Sequence, residues 1–379
     1  MGKKARRAYG FDEISIVPSR RTRDPDDVDI SWQMDAWRFG LPLMASAMDA
    51  VVSPSSAIEI GRLGGLAVLN LEGLWTRYED PLEVYERIAA TPVEEATKVL
   101  QDVYTEPVRG DLIQERIRQI KAGGVVASAS LTPQRVQEFA KDILAAELDI
   151  LVIQGTVVSA EHVSLTREPL NLKEFIRTFD LPVIVGGCAS YDTAHHLMRT
   201  GAVGVLVGVG PGAACTSRQV LGIGVPQATA VSDAAAARMR HLEETGRYCH
   251  VIADGGMRTG GEVAKAIACG ADAVMIASPL AGAFESPGRG FHWGMATFHP
   301  ELPRGARVET GQGATLKEIL TGPAAVNDGT LNLFGALRFS MATSGYGSIK
   351  EFQKSEIVVA PAIKTEGKDL QRAQKVGMA

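Results

Sequence analysis

The chain has 379 residues, is 45% hydrophobic and carries a formal net charge of −5. That length allows one large barrel or two ordinary domains. The mild acidity gives no electrostatic footing to a nucleic-acid or membrane-surface partner. The four cysteines, Cys188, Cys215, Cys249 and Cys269, lack CxxC spacing, which argues against a zinc site and against a disulfide framework.

The start, Met1-Gly2-Lys3-Lys4-Ala5-Arg6-Arg7, has no apolar region behind its basic residues and no Ser or Thr where myristoylation needs one. It reads as a solvated tail. No apolar stretch is long enough to cross a bilayer, so the expectation is a soluble, cytoplasmic protein. Short runs rich in Val, Ile and Leu then recur at 41–45, 66–70, 125–128, 150–153, 183–185, 203–207, 250–253 and 273–277. Nearly continuous apolar runs are what parallel strands covered on both faces require. Amphipathic segments such as 133–148, 191–199 and 260–268 lie between them. Eight strand–helix repeats predict a (β/α)8 TIM barrel, with a doubly wound open sheet as the competing arrangement.

In such a barrel the chemistry gathers at the C-terminal strand ends. Ser46-Ala47-Met48-Asp49 follows the first run; Asp49 is either a ligand contact or the N-cap of a helix near Pro54. Residues 71–123, between the second and third units, are too few for a large inserted domain and predict one or two helices. Gln154-Gly155 and Gly186-Gly187 close the fourth and fifth runs. His195-His196 falls inside a helical segment and reads as surface rather than as a metal site.

The sixth run leads into Gly208-Val209-Gly210-Pro211-Gly212-Ala213-Ala214-Cys215-Thr216-Ser217-Arg218. Glycines let the backbone turn sharply and approach a ligand. A cysteine presented there, with Arg218 three residues on, favours the nucleophilic thiolate. The competing reading is a structural turn with a small packed cysteine. The seventh run ends in Asp254-Gly255-Gly256 and opens a helix near Thr259-Gly260-Gly261-Glu262. Backbone amides at such a helix start attract phosphate, Asp254 would accept hydrogen bonds from a sugar diol, and Ser278 after the eighth run adds a hydroxyl. Otherwise these glycines serve only the turn. Residues 282–313, rich in glycine, predict a lid over the mouth, with His292 and His299 as candidate acids or bases. Residues 362–379 are charged and poor in large apolar side chains, which predicts a loose tail.

The segments 11–14, 42–49, 182–227, 254–261 and 273–288, above all Gly222-Ile223-Gly224-Val225-Pro226-Gln227 closing the cysteine loop, resemble the IMP dehydrogenase/GMP reductase family. The resemblance implies a TIM barrel assembled as a homotetramer or homo-octamer. It implies that Cys215 attacks C2 of a purine nucleoside monophosphate, IMP or GMP, while hydride passes between C2 and NAD or NADP. It places Ser46 and Met48 in the nucleotide pocket, Asp254 on the ribose, Gly255, Gly256 and Ser278 on the phosphate, and Met295 at the base edge. Asp49, Gln154 and Gly187 fall at cofactor-facing positions, and the carbonyls of Gly208, Gly210 and Cys215 at those that hold a monovalent cation such as K+.

Several positions depart from the family pattern. Residues 71–123 cannot contain the CBS pair that dehydrogenases carry, and 295–313 hold no Arg-Tyr pair of the kind that hydrolyses their covalent intermediate. This is similar to a short bacterial subgroup that lacks the CBS insertion. For a reductase, Ser217 keeps the hydroxyl of the acid–base pair, but its acidic partner falls near Arg304-Gly305, with Glu301 only a neighbour. Gln154 stands where a cofactor-facing acid is expected, Gly187 for an Asn and Ala213 for a phosphate-binding Ser. The resemblance so read favours NADPH-dependent reduction of GMP to IMP with ammonia release. NAD-dependent oxidation of IMP to XMP, or a non-catalytic nucleotide-binding regulator, are the alternatives.

Overall fold

The structure, a computed structural model, describes residues 5–165, 169–361 and 366–377. Eight parallel strands close a barrel: β1 (Leu43–Ala45), β2 (Leu66–Asn70), β3 (Ser128–Leu131), β4 (Ile150–Gln154), β5 (Val183–Cys188), β6 (Gly204–Val207), β7 (His250–Asp254) and β8 (Ala273–Ile276). β8 pairs back onto β1 through Val274–Leu43 and Ile276–Ala45, which closes the ring. Most of the strands are apolar on both faces because the barrel interior lies on one side and a helical shell on the other.

The third strand lies three residues beyond its apolar run. Val125 and Val126 only approach the barrel, and the pairing residues are the small, buried Ser128-Ala129-Ser130-Leu131. Asp149 fixes this start by accepting a hydrogen bond from the Ala127 amide at 2.8 Å.

The lower end of the barrel is plugged by a hairpin, Trp32–Met34 with Trp37–Phe39. Its Trp32, Met34 and Phe39 pack on Met44, Leu66, Ile150 and Ile252 inside the barrel. Nearby, Arg238, Tyr248 and Gln353 all hydrogen-bond the buried Asp272 carboxylate, at 3.0, 2.8 and 2.9 Å. This cluster holds the pole opposite the mouth, and the charges of Arg238 and Lys350 depress the Asp272 pKa despite its burial.

Three regions outside the barrel differ from expectation. Residues 71–123 form three helices, Leu82–Ala90, Ala96–Val103 and Gly110–Ala122, rather than one or two. The basic start is not simply solvated, since Arg6 forms an ion pair with Asp233. In the segment expected to be a tail, Asp369–Gln374 is a short exposed helix, while 362–365 and 378–379 lie outside the described residues. Among the described residues no helix is long and apolar enough to cross a membrane.

Candidate active site

The C-terminal strand ends surround one cavity of about 1190 Å³. Ser46, Met48, Gln154, Gly208, Gly210, Cys215, Ser217, Asp254, Gly255, Gly256, Ser278 and Met295 all line it. Its volume exceeds the roughly 300–1000 Å³ of a typical single-ligand site.

Cys215 differs in kind from the other three cysteines. Those are buried, and desolvation pushes the Cys188 thiol up to about 12 and Cys269 up to about 11. Cys215 is half-buried at the cavity wall. Its loop is braced from within: Arg218 donates to the Val225 carbonyl at 3.0 Å, and a Cβ at Gly210 or Gly224 would overlap the Arg218 side chain at 2.6 or 2.7 Å. Arg218 is thus a strut for the loop. Ser217, two residues on, lines the same cavity with its hydroxyl buried and unpartnered among the described residues. The carbonyls of Gly208 and Gly210 accept no hydrogen bond among the described residues, so they remain open to a cation.

The Cys215 loop also abuts the phosphate-loop candidate. Gly255 and Gly256 have φ of +77° and +80°, and a Cβ on them would meet Gly212 at 3.3 Å and Pro211 at 3.0 Å. Only glycine allows both the left-handed turn and this approach. The helix start itself offers less than expected. Thr259 and Glu262 cap each other's amides, Glu262 also takes the Arg258 amide, and Gly260 donates to Gly329. The Gly256 amide is left without an acceptor among the described residues.

The polar group that complements it comes from the lid. His292 is buried in the cavity wall, its Nε2 3.1 Å from Ser278 Oγ and its Nδ1 unpartnered. Desolvation pushes its pKa down to about 4, so the ring is neutral near pH 7. Asp254 is half-buried, accepts a hydrogen bond from Gln154 Nε2 at 3.3 Å, and is pushed by desolvation up to about 7. Gln154 therefore bridges toward the ribose-binding candidate.

Three sequence-derived assignments are displaced. Asp49 lies behind the wall, where its carboxylate accepts from Tyr104 and its carbonyl from Tyr85 at 2.7 Å; burial raises it to about 6. Nor is it the helix cap, which is Ser53 accepting from the Ser56 amide at 3.1 Å. Gly187 is buried, and its amide is spent on the Gly155 carbonyl at 3.0 Å. Glu301 is exposed and outside the cavity lining. The lid side chains that do line it include His292, Met295, Phe298, His299 and Arg304. His299 Nδ1 accepts from the amides of Glu301 and Leu302 at 3.3 and 2.9 Å. A neutral ring then carries its proton on Nε2 and presents a donor rather than a base.

Residues 282–313 form a short strand pair, Phe291–His292 with Val308–Glu309, and a turn of 3-10 helix at Met295–Phe298. Backbone pairing joins this lid to the nucleophile candidate: the Thr216 amide donates to Arg304 at 3.0 Å and the Ala306 amide to Ala214 at 2.8 Å. The three-helix insertion props the lid from behind. Trp293 donates to Tyr104 at 2.9 Å, and the Tyr104 and Phe298 rings stack at 4.0 Å. The sequence signal for this support was the aromatic content of 71–123, which includes Trp75, Tyr78, Tyr85 and Tyr104.

The profile of the IMP dehydrogenase / GMP reductase domain matches residues 8–300. The chain belongs to this family. A crystal structure of an IMP dehydrogenase/GMP reductase-like protein from Corynebacterium glutamicum superposes with a TM-score of 0.90 at 46% identity, covering 95% of this chain and 96% of that one. An uncharacterized oxidoreductase of Mycobacterium leprae is 51% identical over 95% of this chain and 98% of its own. An inosine-5'-monophosphate dehydrogenase of Methanocaldococcus jannaschii is 25% identical over 96% of this chain and 95% of its own. Family membership identifies the chain as an oxidoreductase of this type.

Proposed function

We propose that the protein oxidises IMP to XMP with NAD, through a covalent adduct between Cys215 and C2 of the purine. The observation that carries the reading is that one cavity joins the half-buried thiol to Asp254, Gly256, Ser278 and His292. The Gly256 amide, the Ser278 hydroxyl and the His292 ring hold the 5′-phosphate. Asp254 accepts from the ribose hydroxyls, and the lid backbone near Met295 meets the base. Cys215 adds to C2; a nicotinamide cofactor, when bound, accepts the hydride that C2 gives up. Water then displaces the thiol, leaving oxygen on C2. The Arg304 guanidinium, on the lid segment paired with the cysteine loop, favours the negative charge that develops as that water loses its proton.

The residues fit a second nucleotide. The side of the cavity formed by the ends of β2, β3 and β4 carries Glu72, Thr132, Gln154 and Thr156 and no Lys or Arg. Glu72 Oε1 accepts from the Thr132 amide and hydroxyl at 3.1 and 2.6 Å, and its other oxygen is free to accept from a ribose. A carboxylate in such a place favours NAD over a 2′-phosphorylated cofactor.

This direction reverses the one that the sequence favoured. Reduction of GMP needs an acid to protonate the departing 2-amino group. Glu301, the acid candidate, lies outside the cavity, whereas Arg304 does not give up its proton. GMP reduction remains the second reading, because residues 295–313 hold no Arg-Tyr pair for hydrolysis. Purified protein incubated with IMP and NAD, and separately with GMP and NADPH, decides between them. XMP and reduced cofactor should appear in the first mixture only. Cofactor loss in the second alone would overturn the direction. Turnover that survives Cys215→Ala would overturn the covalent chemistry itself.

A further inference from the structure

A second concavity, about 580 Å³, shares no lining residue with the barrel mouth. It lies toward the opposite pole, beside Val203 just before β6 and Tyr248 just before β7. Helix Leu172–Thr178 and the C-terminal ends of helices Tyr191–Met198 and Gln227–Thr245 form its walls. The lining includes Lys173, Arg199, Arg247, His241, Thr245 and Tyr248, and no carboxylate.

These cations differ from the ion-paired ones elsewhere on the surface. Arg38, Arg87, Arg135 and Arg240 each face a carboxylate within 3.1 Å. Lys173, Arg199 and Arg247 have no such partner among the described residues. The neighbouring acid, Glu244, is already engaged by Arg240 at 2.6 Å and His195 at 3.1 Å. Helix C-termini attract cations, but each offers only about half a negative charge. Two such ends against three cations leave about two positive charges uncompensated.

The wall of this pocket holds a further unsatisfied group. His241 is 4% exposed; its Nδ1 has no partner and its Nε2 only a 3.4 Å contact with Thr245. Burial holds its pKa below the ordinary value, and His195, Arg199 and Arg247 lower it further, so the cationic fields converge on this spot.

We propose that this pocket binds an oligophosphate chain, either free or as the tail of a nucleotide. Two guanidinium groups present paired donors to phosphate oxygens and the Lys173 ammonium adds a mobile charge. The volume exceeds that of one phosphate group. Nucleobase stacking is not part of the recognition, because Tyr248 already has Arg238 and Lys350 against its ring at 5.3 and 4.1 Å.

The test is calorimetric titration of the whole protein with sodium tripolyphosphate, without divalent metal, at about 0.15 M salt, where exposed charges further apart than about 8 Å are screened. Excess IMP is present to occupy the barrel mouth. One binding event is expected, weakened about tenfold by each of Lys173→Gln, Arg199→Gln and Arg247→Gln and largely restored in Arg199→Lys. These variants should keep the wild-type turnover. ATP binding as tightly as tripolyphosphate identifies a nucleotide tail, and tripolyphosphate alone identifies a free chain. The proposal fails if no binding is seen, if binding is indifferent to the three substitutions, or if IMP abolishes it.

Discussion

Ser278 and His292 meet at the cavity wall with 3.1 Å between Oγ and Nε2. One closes the last barrel strand and the other opens the lid, so the contact ties the phosphate-loop candidate to the segment that covers it. Nδ1 of the same ring is buried without a partner. In the free protein this costs stability, on the order of 1–3 kcal/mol for an unsatisfied polar group.

A bound phosphate should change the charge of that ring. Burial holds His292 at about 4; a dianion beside it favours the protonated form and raises its pKa. Nucleotide binding at pH 6 is therefore expected to take up protons, seen as a calorimetric enthalpy that depends on the ionisation enthalpy of the buffer. His292→Gln should remove that uptake and weaken nucleotide binding about tenfold. An unchanged buffer dependence in the variant would place the phosphate elsewhere.

Asp254 predicts the opposite balance between stability and function. Its pKa rises from 3.8 to about 7 through desolvation. The folded protein thus holds a proton that the unfolded chain releases between those values, and stability falls as pH rises through that window. Asp254→Asn should raise Tm by about 2 °C at pH 8 and hardly at all at pH 4. The same substitution should raise the KM for the nucleotide, because it removes the carboxylate proposed to accept from the ribose. Melting curves at the two pH values, with steady-state kinetics, check both halves.

Gly305 lies opposite Cys215 in the pairing of lid and cysteine loop. A Cβ there would come within 2.2 Å of Thr297 Oγ1, so Gly305→Ala must shift one lid segment against the other beside the pairing with the cysteine loop. Turnover is expected to fall by on the order of a hundredfold while nucleotide affinity, proposed to rest mainly on the loops at Gly256 and Ser278, changes far less. A matched loss in both would mean that the lid holds the nucleotide rather than completing the chemistry.

Glu72 should govern cofactor choice. Gln at this position keeps an acceptor for Thr132 but removes the negative charge. Glu72→Gln is expected to improve kcat/KM with NADP by about tenfold relative to NAD. A preference untouched by the change would remove Glu72 from the cofactor subsite.

Several residues that line the cavity were legible because they are consecutive in the chain. Gly208 to Ser217, Asp254-Gly255-Gly256 and Ser278 each follow an apolar run, and the end of a barrel strand is where such residues must emerge. The lid was less legible. Glu301 stands two residues after His299 in sequence, yet a turn fastened on His299 Nδ1 leaves it exposed, while Arg304 reaches the cavity instead. Asp49 follows the cavity residues Ser46 and Met48 but points into the aromatic support of Tyr85, Tyr104 and Trp293.

By itself the sequence determined the barrel, since eight apolar runs with helical spacers admit few ways of burying both faces of each strand. It also determined which cysteine stands apart from the packed ones, through the glycines around it. Only the tertiary structure decided which side chains share a wall. His292 reaches Ser278 across fourteen residues, Trp293 reaches Tyr104 across 189, and Gln154 reaches Asp254 across the barrel. Such contacts depend on where loops from different strands converge in space, and no local pattern of polarity or periodicity encodes that convergence.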